Sequence, residues 1–325
     1  MQLSDRTGSR LKLQDLHVFM TVAQAGSMGR AAKTLTSTQP NVSRSIADLE
    51  RALGVRLLDR HPKGIELTEY GRALLDCGVA VFDDLRQGVK AIEHLADATA
   101  GELRIGTTTF LAASFVSAVV DRLSHRYPRV TFHVTSGYIG ALHDALAERK
   151  VDLLVVRSHG GVEDARFNFE PLFDESYVVA AGAQNPWARR RRIDVKDLAN
   201  EPWVLPPPDS VIGGIITEAF RGSGLSPPRA AVVTDCPHMR VSLLATGRFV
   251  TVFPASSFKF LAKQSELKVL PVNLPVARRP NGIVTLKSRT ISSVTQSFID
   301  YARAAAKPLA LRSRVLNPSP VRPST

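Results

Sequence analysis

The stretch 69–96 constrains this chain most. It lacks proline, and Leu74, Gly78, Val81, Leu85, Gly88, Ile92 and Leu95 fall at alternating intervals of four and three. That is the spacing of a heptad seam, with two glycines that let backbones come close. A helix of this length, at about 1.5 Å per residue, is about 40 Å long and cannot be buried on one small neighbour. The alternative is a core helix inside a single globular fold. A dimerising linker helix, placed at 71–98, is favoured because a complete small domain precedes it. At 325 residues the chain has room for two or three domains.

Upstream, residues 1–12 read as a polar leader, and then Leu13, Leu16, Phe19, Met20 and Ala23 take helical spacing until Gly26 stops it. Ser27 is a good N-cap for a second helix carrying Ala31, Ala32 and Leu35. Thr38 starts a third, with Pro40 tolerated in its first turn, Val42, Ile46, Leu49 and Leu53 on one stripe, and Gly54 at its end. The run VRLLDRHPKGIELT reads as a β-hairpin turning at His61 to Gly64. Three helices and a hairpin predict a winged helix-turn-helix domain at 11–70.

Downstream, strands and helices alternate. LRIGTT (103–108), VTFHVTS (130–136) and DLLVV (152–156) read as strands separated by helices at 110–125 and 140–149, a βαβαβ unit with a parallel sheet. A second set follows in SYVVAAG (176–182), WVLP (203–206), AAVVT (230–234) and FVTVF (249–253), with helices at 213–221 and 238–246. IVTL (283–286) and a helix from Ile291 to about Ala306 return to the first sheet. The expected fold is therefore an N-terminal winged helix-turn-helix, a linker helix, and an α/β module of two subdomains. Subdomain 1 is placed at about 99–170 with 280–307, subdomain 2 at about 171–279, and a proline-bearing disordered tail at 308–325.

Composition narrows the function. Hydrophobic residues at 44% and charged residues at 22% exclude bulk disorder. No apolar run reaches the roughly 18 residues of a membrane span, and the N-terminus carries no apolar signal core. Cys77 and Cys236 lie far apart, which fits a reducing cytosol and argues against a disulfide framework or a thiolate metal site, so no metal or cofactor is expected. The net charge of +12 points to a polyanion, yet residues 1–70 contribute only +3 of it. Arg189–Arg192 and residues 301–325 account for the rest, and such runs are usually solvated. Charge alone does not establish nucleic-acid binding.

The residues of 13–71 carry more. GS-x(2)-RAA-x(2)-L, TQPNVSR-x-I-x-x-LE, LG-x-x-LLDR and LT-x-x-G occur in order, and this pattern resembles the DNA-binding domain of LysR-type transcriptional regulators. The rest is similar to that family too: a linker helix, then an effector module like type 2 periplasmic binding proteins. The effector half has a diffuse likeness to the family's sugar-responsive regulators of a galactose-binding protein. The resemblance implies a cytoplasmic bacterial activator or repressor. Its implied partners are double-stranded DNA bearing an inverted repeat, a small-molecule effector and a second copy in a dimer or tetramer, with RNA polymerase a further one and no membrane.

Physical reading agrees. At 100° per residue, Arg44 and Arg51 lie opposite the apolar stripe of the third helix, and Gln39 and Ser43 sit near the N-terminal end that enters the major groove. Gln can read adenine and Arg guanine. Thr38, Asn41 and Ser43 suit phosphate or base contacts, Arg30, Lys33, Arg60 and Lys63 suit phosphates, and Pro40 and Thr38 can equally be helix-start devices. For the effector, the strand-to-helix junctions nominate Thr107, Thr108, Thr109, Ser136, Gly137, Asp209 and Ser210, against helix capping as the alternative for each hydroxyl. Arg157, His238 and Thr251 are further candidates for a sugar or small carboxylate. A turn that the family commonly writes G-x-G reads Gly247-Arg248-Phe249 here. No catalytic residue is nominated, because no G-x-S-x-G, H-E-x-x-H or Walker pattern is present. An enzyme and a plain solute-binding protein are the competing readings; the first lacks a nucleophile and base, the second a signal peptide.

Overall fold

The computed structural model describes residues 11–61, 64–97, 100–158, 164–208, 210–262, 266–275 and 279–315. They form two compact units that divide between Val89 and Lys90. In the first, α1 (Leu13–Ala25), α2 (Met28–Thr34) and α3 (Gln39–Leu53) precede the hairpin β1 (Leu58–His61) and β2 (Gly64–Leu67). Gly26 and Gly54 end α1 and α3 in the left-handed region, as their lack of Cβ permits. The Ser27 hydroxyl accepts from the Arg30 amide at 3.1 Å and starts α2. Phe19, Val22, Ala31, Ala32, Val42, Ile46 and Leu49 are buried in one core, the stripe expected from their spacing. Thr36 takes a positive φ of 50° in the turn between α2 and α3, a conformation the sequence did not announce.

Two contacts fix the wing. Glu50 on α3 accepts from the amides of Leu57 and Leu58 at 2.8 and 3.2 Å. A Cβ on Gly71 would lie 2.1 Å from the Leu57 carbonyl oxygen, so only glycine lets α4 (Glu69–Ala96) start this close. Along α4 the seam changes character. Leu74 packs on the core of the head, and a Cβ on Gly78 would meet Met20 Sδ at 2.7 Å. Gly78 thus brings α4 close to α1 of its own chain. Leu85, Val89 and Ile92, further on, are exposed.

The second unit contains two five-stranded sheets. In the first, ordered β4-β3-β5-β12-β6, β3 (Ala100–Thr107) runs parallel to β4 (Arg129–Ser136) and β5 (Leu153–Arg157). β12 (Arg279–Leu286) lies antiparallel between β5 and β6 (Phe167–Glu175). The second sheet, ordered β11-β7-β10-β8-β9, comprises β7 (Tyr177–Gly182), β8 (Trp203–Leu205), β9 (Ala230–Val233), β10 (Val250–Pro254) and β11 (Leu267–Val269). The chain therefore crosses once between Glu175 and Tyr177 and returns between β11 and β12. Subdomain 1 runs to Glu175, not 170, because β6 completes its sheet. Pro171 hid that strand in the sequence; it sits at the edge of the sheet beside a bulge, where proline is tolerated.

Helices cover both sheets: α5 (Ser117–Arg126), α6 (Ile139–Ala147), α7 (Val211–Gly222), α8 (Pro237–Ala245), α9 (Ala255–Ala262) and α10 (Ser293–Val315). A short turn, Thr109–Leu111, and a π-helical turn, Ala112–Val116, precede α5 where one helix was expected. α10 continues through Pro308 to Val315, so 308–315 is helical rather than tail; the remainder of the expected tail, 316–325, lies outside the described residues. Leu103, Ile105, Val155, Phe115 and Phe298 centre one core, and Trp203, Phe220, Val250 and Val252 the other.

Candidate DNA face and effector cleft

The head offers one polar surface. Thr38, Gln39, Pro40, Asn41 and Arg44 are exposed at and after the start of α3, with Ser43 half-buried among them. Pro40 occupies the first turn, and Thr38 stands at the N-cap without a side-chain capping bond, so its hydroxyl remains available. Arg30 and Lys33 are exposed on α2 and Arg60 on β1; Arg30 Nε also donates to Ser27 Oγ at 3.3 Å. Arg51 differs from Arg44, because its guanidinium pairs with Asp48 at 2.6 Å in the last turn of α3. Lys63 lies outside the described residues.

Between the two sheets of the second unit lies a cleft of about 330 Å³. Thr108, Thr109, Gly137 and Ser210, expected at strand-to-helix junctions, line it, and so does the further candidate Arg157. Thr108 stands at an N-cap with no capping bond. Ser210 donates to the Pro207 carbonyl at 2.6 Å and accepts from the Gly213 amide at 3.1 Å, so its capping role is present beside its place in the wall. Four nominated residues fall elsewhere. Thr107 and Thr251 are fully buried strand residues whose hydroxyls donate to the carbonyls of Val155, at 2.7 Å, and Val204. Ser136 is exposed at the end of β4, and His238 is exposed on α8; neither is in the wall. Asp209 lies outside the described residues.

Sequence reasoning missed Tyr138, Glu175, Tyr177, Arg240 and Asn281, all of which line the cleft. Glu175 ends β6 at the first crossing and is 4% exposed. It accepts from the Ser256 amide and hydroxyl at 3.1 and 2.6 Å and from Asn281 Nδ2 at 3.0 Å, which ties both crossings to the first turn of α9. Burial pushes its carboxyl pKa up against those hydrogen bonds. Arg157 donates to the Tyr177 hydroxyl; burial lowers the guanidinium's pKa and raises that of the phenol to about 12. Arg240, 1% exposed, donates to the Val252 carbonyl at 3.2 Å, and its guanidinium lies 5.0 Å from the Phe110 ring and 4.9 Å from the Phe253 ring. Burial pulls its pKa down to about 10. At the mouth, Tyr138 donates to Asp235 at 2.5 Å from the opposite subdomain. The one signal that could have found Arg240 is its place in the first turn of α8, the same kind of junction that nominated Ser210.

Residues 13–72 match the model of the bacterial regulatory helix-turn-helix protein, lysR family, and residues 96–307 match the LysR substrate binding domain. The chain belongs to the LysR family. It is thus a DNA-binding transcriptional regulator with an effector-binding domain, in a family of regulators rather than enzymes. It is similar to the HTH-type transcriptional regulator GbpR of Azospirillum brasilense, at 26% identity over 92% of this chain and 87% of that protein. Its fold is that of a full-length OxyR variant from Pseudomonas aeruginosa, with TM-score 0.66, 23% identity and coverage of 92% and 97% of the two chains. CbnR complexed with its target DNA has the same fold, at TM-score 0.54, 21% identity and coverage of 91% and 100%. In this LysR regulator, Phe249 is absorbed into the core with Leu244, Phe253 and Phe258, while Gly247 holds a positive φ of 77°.

Among the described residues no helix is long and apolar enough to cross a membrane, and no group of His, Cys, Asp or Glu could hold a metal. Cys77 and Cys236 are free and exposed. Arg189–Arg192 are all exposed, in keeping with a solvated run.

Proposed function

We propose that this regulator reads an inverted-repeat operator through α3 and is switched by a small molecule held in the cleft between its subdomains. The observation that carries the first half is the exposed set Gln39, Asn41 and Arg44 on a helix whose opposite face is locked into the core. A fixed helix keeps its polar edge in a constant pose, which base readout in the major groove requires. Arg30, Lys33 and Arg60 flank it as phosphate contacts that set register. The exposed stripe Leu85, Val89 and Ile92 on α4 supports a homodimer, which would space two heads by about one helical turn of DNA. Pairing of dimers would raise apparent affinity through effective concentration. RNA polymerase is the expected further partner and the bacterial cytoplasm the expected compartment.

Thr108, Thr109, Gly137, Arg157 and Ser210 in the cleft wall suit a sugar or a small carboxylate. The ligand acts by favouring one arrangement of the subunits over another, to the extent that its affinities for the two differ. Sequencing of genomic fragments captured by the purified protein at fixed salt tests the reading. A sharp inverted-repeat motif is the expected result. Uniform binding that fades with salt and shows no motif would mean that α3 is not a specific reader.

A further inference from the structure

We infer that the effector is a small organic anion with an apolar body, its acidic group supplying the acceptors that Arg157 and Arg240 lack. The inference rests on the reading of the cleft as the effector site. Arg157 on β5 is 8% exposed and Arg240 on α8 is 1% exposed, and both line the cleft. The Nε of each is buried and has no acceptor among the described residues. Neither guanidinium pairs with a carboxylate among the described residues; Arg157 has the Tyr177 hydroxyl and Arg240 the Val252 carbonyl. Rings in contact with a guanidinium offset part of its desolvation but accept no N–H bond in its plane. A buried cation left in this condition is strongly unfavourable unless something completes it.

The acids of the cleft show the opposite condition. Glu175 already has three donors, and Asp235 takes the Tyr138 hydroxyl. The charges of Glu175 and Arg279 act on Arg157 in opposite senses. The unmet demand in the cleft is therefore for acceptors and negative charge. Arg157 belongs to the first subdomain and Arg240 to the second. An anion that engages both ties the two sides together. Arg240 already touches Phe110 across the same boundary. Leu111, Ile139 and Ile212 in the walls offer an apolar body contacts that the hydroxyls of a polyol would not use. A volume of about 330 Å³ sits at the small end of ligand sites, which suits a single ring or short chain.

The test uses the full chain and four probes at matched ionic strength: cyclohexanecarboxylate, its neutral carboxamide, sulfate and D-galactose. Thermal unfolding is followed in the wild type, Arg240→Met, Arg157→Met and Ile139→Trp, the last filling the cleft. Cyclohexanecarboxylate at about 10 mM is expected to raise the midpoint by about 2–4 °C in the wild type. The carboxamide and galactose are expected to do less, and the carboxylate's advantage is expected to vanish in each of the three variants. Without ligand, Arg240→Met should melt at or above the wild-type temperature, because an uncompensated buried charge has gone; a merely structural arginine would give the reverse. A galactose shift that Ile139→Trp abolishes, with no carboxylate effect, overturns the anion and keeps the cleft. Sulfate stabilising the wild type and both arginine variants equally marks a general salt effect, and with no carboxylate advantage it overturns the inference. A carboxylate shift that survives Ile139→Trp places the binding elsewhere, and the cleft reading falls with it.

Discussion

The α3 surface and the effector cleft are both polar sites built on apolar cores, but they hold their charges in opposite ways. On α3, Arg44 is exposed to water and needs no partner until DNA arrives. In the cleft, Arg157 and Arg240 are taken out of water in the folded chain, and the Nε of each has no acceptor among the described residues. An exposed cation waiting for phosphate or guanine loses little stability. A buried one does, so under the proposed reading the cleft is where the fold gives up stability for recognition.

The largest effect that could break the comparison comes from the core beneath α3. Ile46 is fully buried, and Ile46→Ala should destabilise the head by about 2–5 kcal/mol. Calorimetry of the full chain should show the head melting earlier, with DNA binding lost above that temperature. The carboxylate-induced shift of the effector unit should persist. If both units melt together at the lower temperature, they unfold as one body and the two sites are not independent.

Next comes Arg44→Ala, which should weaken specific operator binding by about 1–3 kcal/mol, the range of one good base contact, and leave the melting temperature unchanged. Equal titration curves for variant and wild type at one salt concentration would remove Arg44 from the reading edge.

How far each site could be read from sequence follows from the same contrast. The proposed reading edge lies on one continuous helix, so a stripe of four apolar residues fixes which side is polar, and the exposures of Gln39, Asn41 and Arg44 follow directly. The cleft is assembled from β5, β6, β7, β10, β12, α6, α7, α8, α9 and the loops beside them, which are far apart in sequence. Strand ends and helix starts could be placed approximately, and that reached Thr108, Thr109, Gly137 and Ser210. It could not separate Thr107, whose hydroxyl is held inside the sheet, from Thr108 one residue later. β6 was hidden by Pro171 and its acids, and Glu175 was hidden with it. The seam of α4 shows a further limit: heptad spacing states that a stripe is buried, not what buries it, and Leu74 and Gly78 pack against the head of their own chain.

A pair of threonines sharpens the distinction at about 1 kcal/mol. Thr251→Val removes a buried hydroxyl that donates to Val204 and should lower stability by about that amount while leaving the ligand response intact. Thr108→Val removes a hydroxyl from the wall that caps nothing, so stability should hold and the ligand response should weaken. If the two variants exchange these phenotypes, the assignment of hydroxyls to sheet and cleft is wrong.

The smallest effect concerns Arg51, which helical angle alone places beside Arg44. It sits at the other end of α3, 75% exposed by side chain, and its partner Asp48 is 50% exposed. Such a pair contributes about 0.3–0.5 kcal/mol to a helix, and the positive charge also suits the helix C-terminus. Arg51→Ala should therefore lower stability by no more than that and change operator affinity by less than about twofold. Asp48→Ala would then strengthen DNA binding slightly, since it frees a cation and removes an anion from the same surface. A loss on Arg51→Ala as large as that on Arg44→Ala would show that the ion pair opens on DNA. The difference between the two arginines would then belong to the free protein alone.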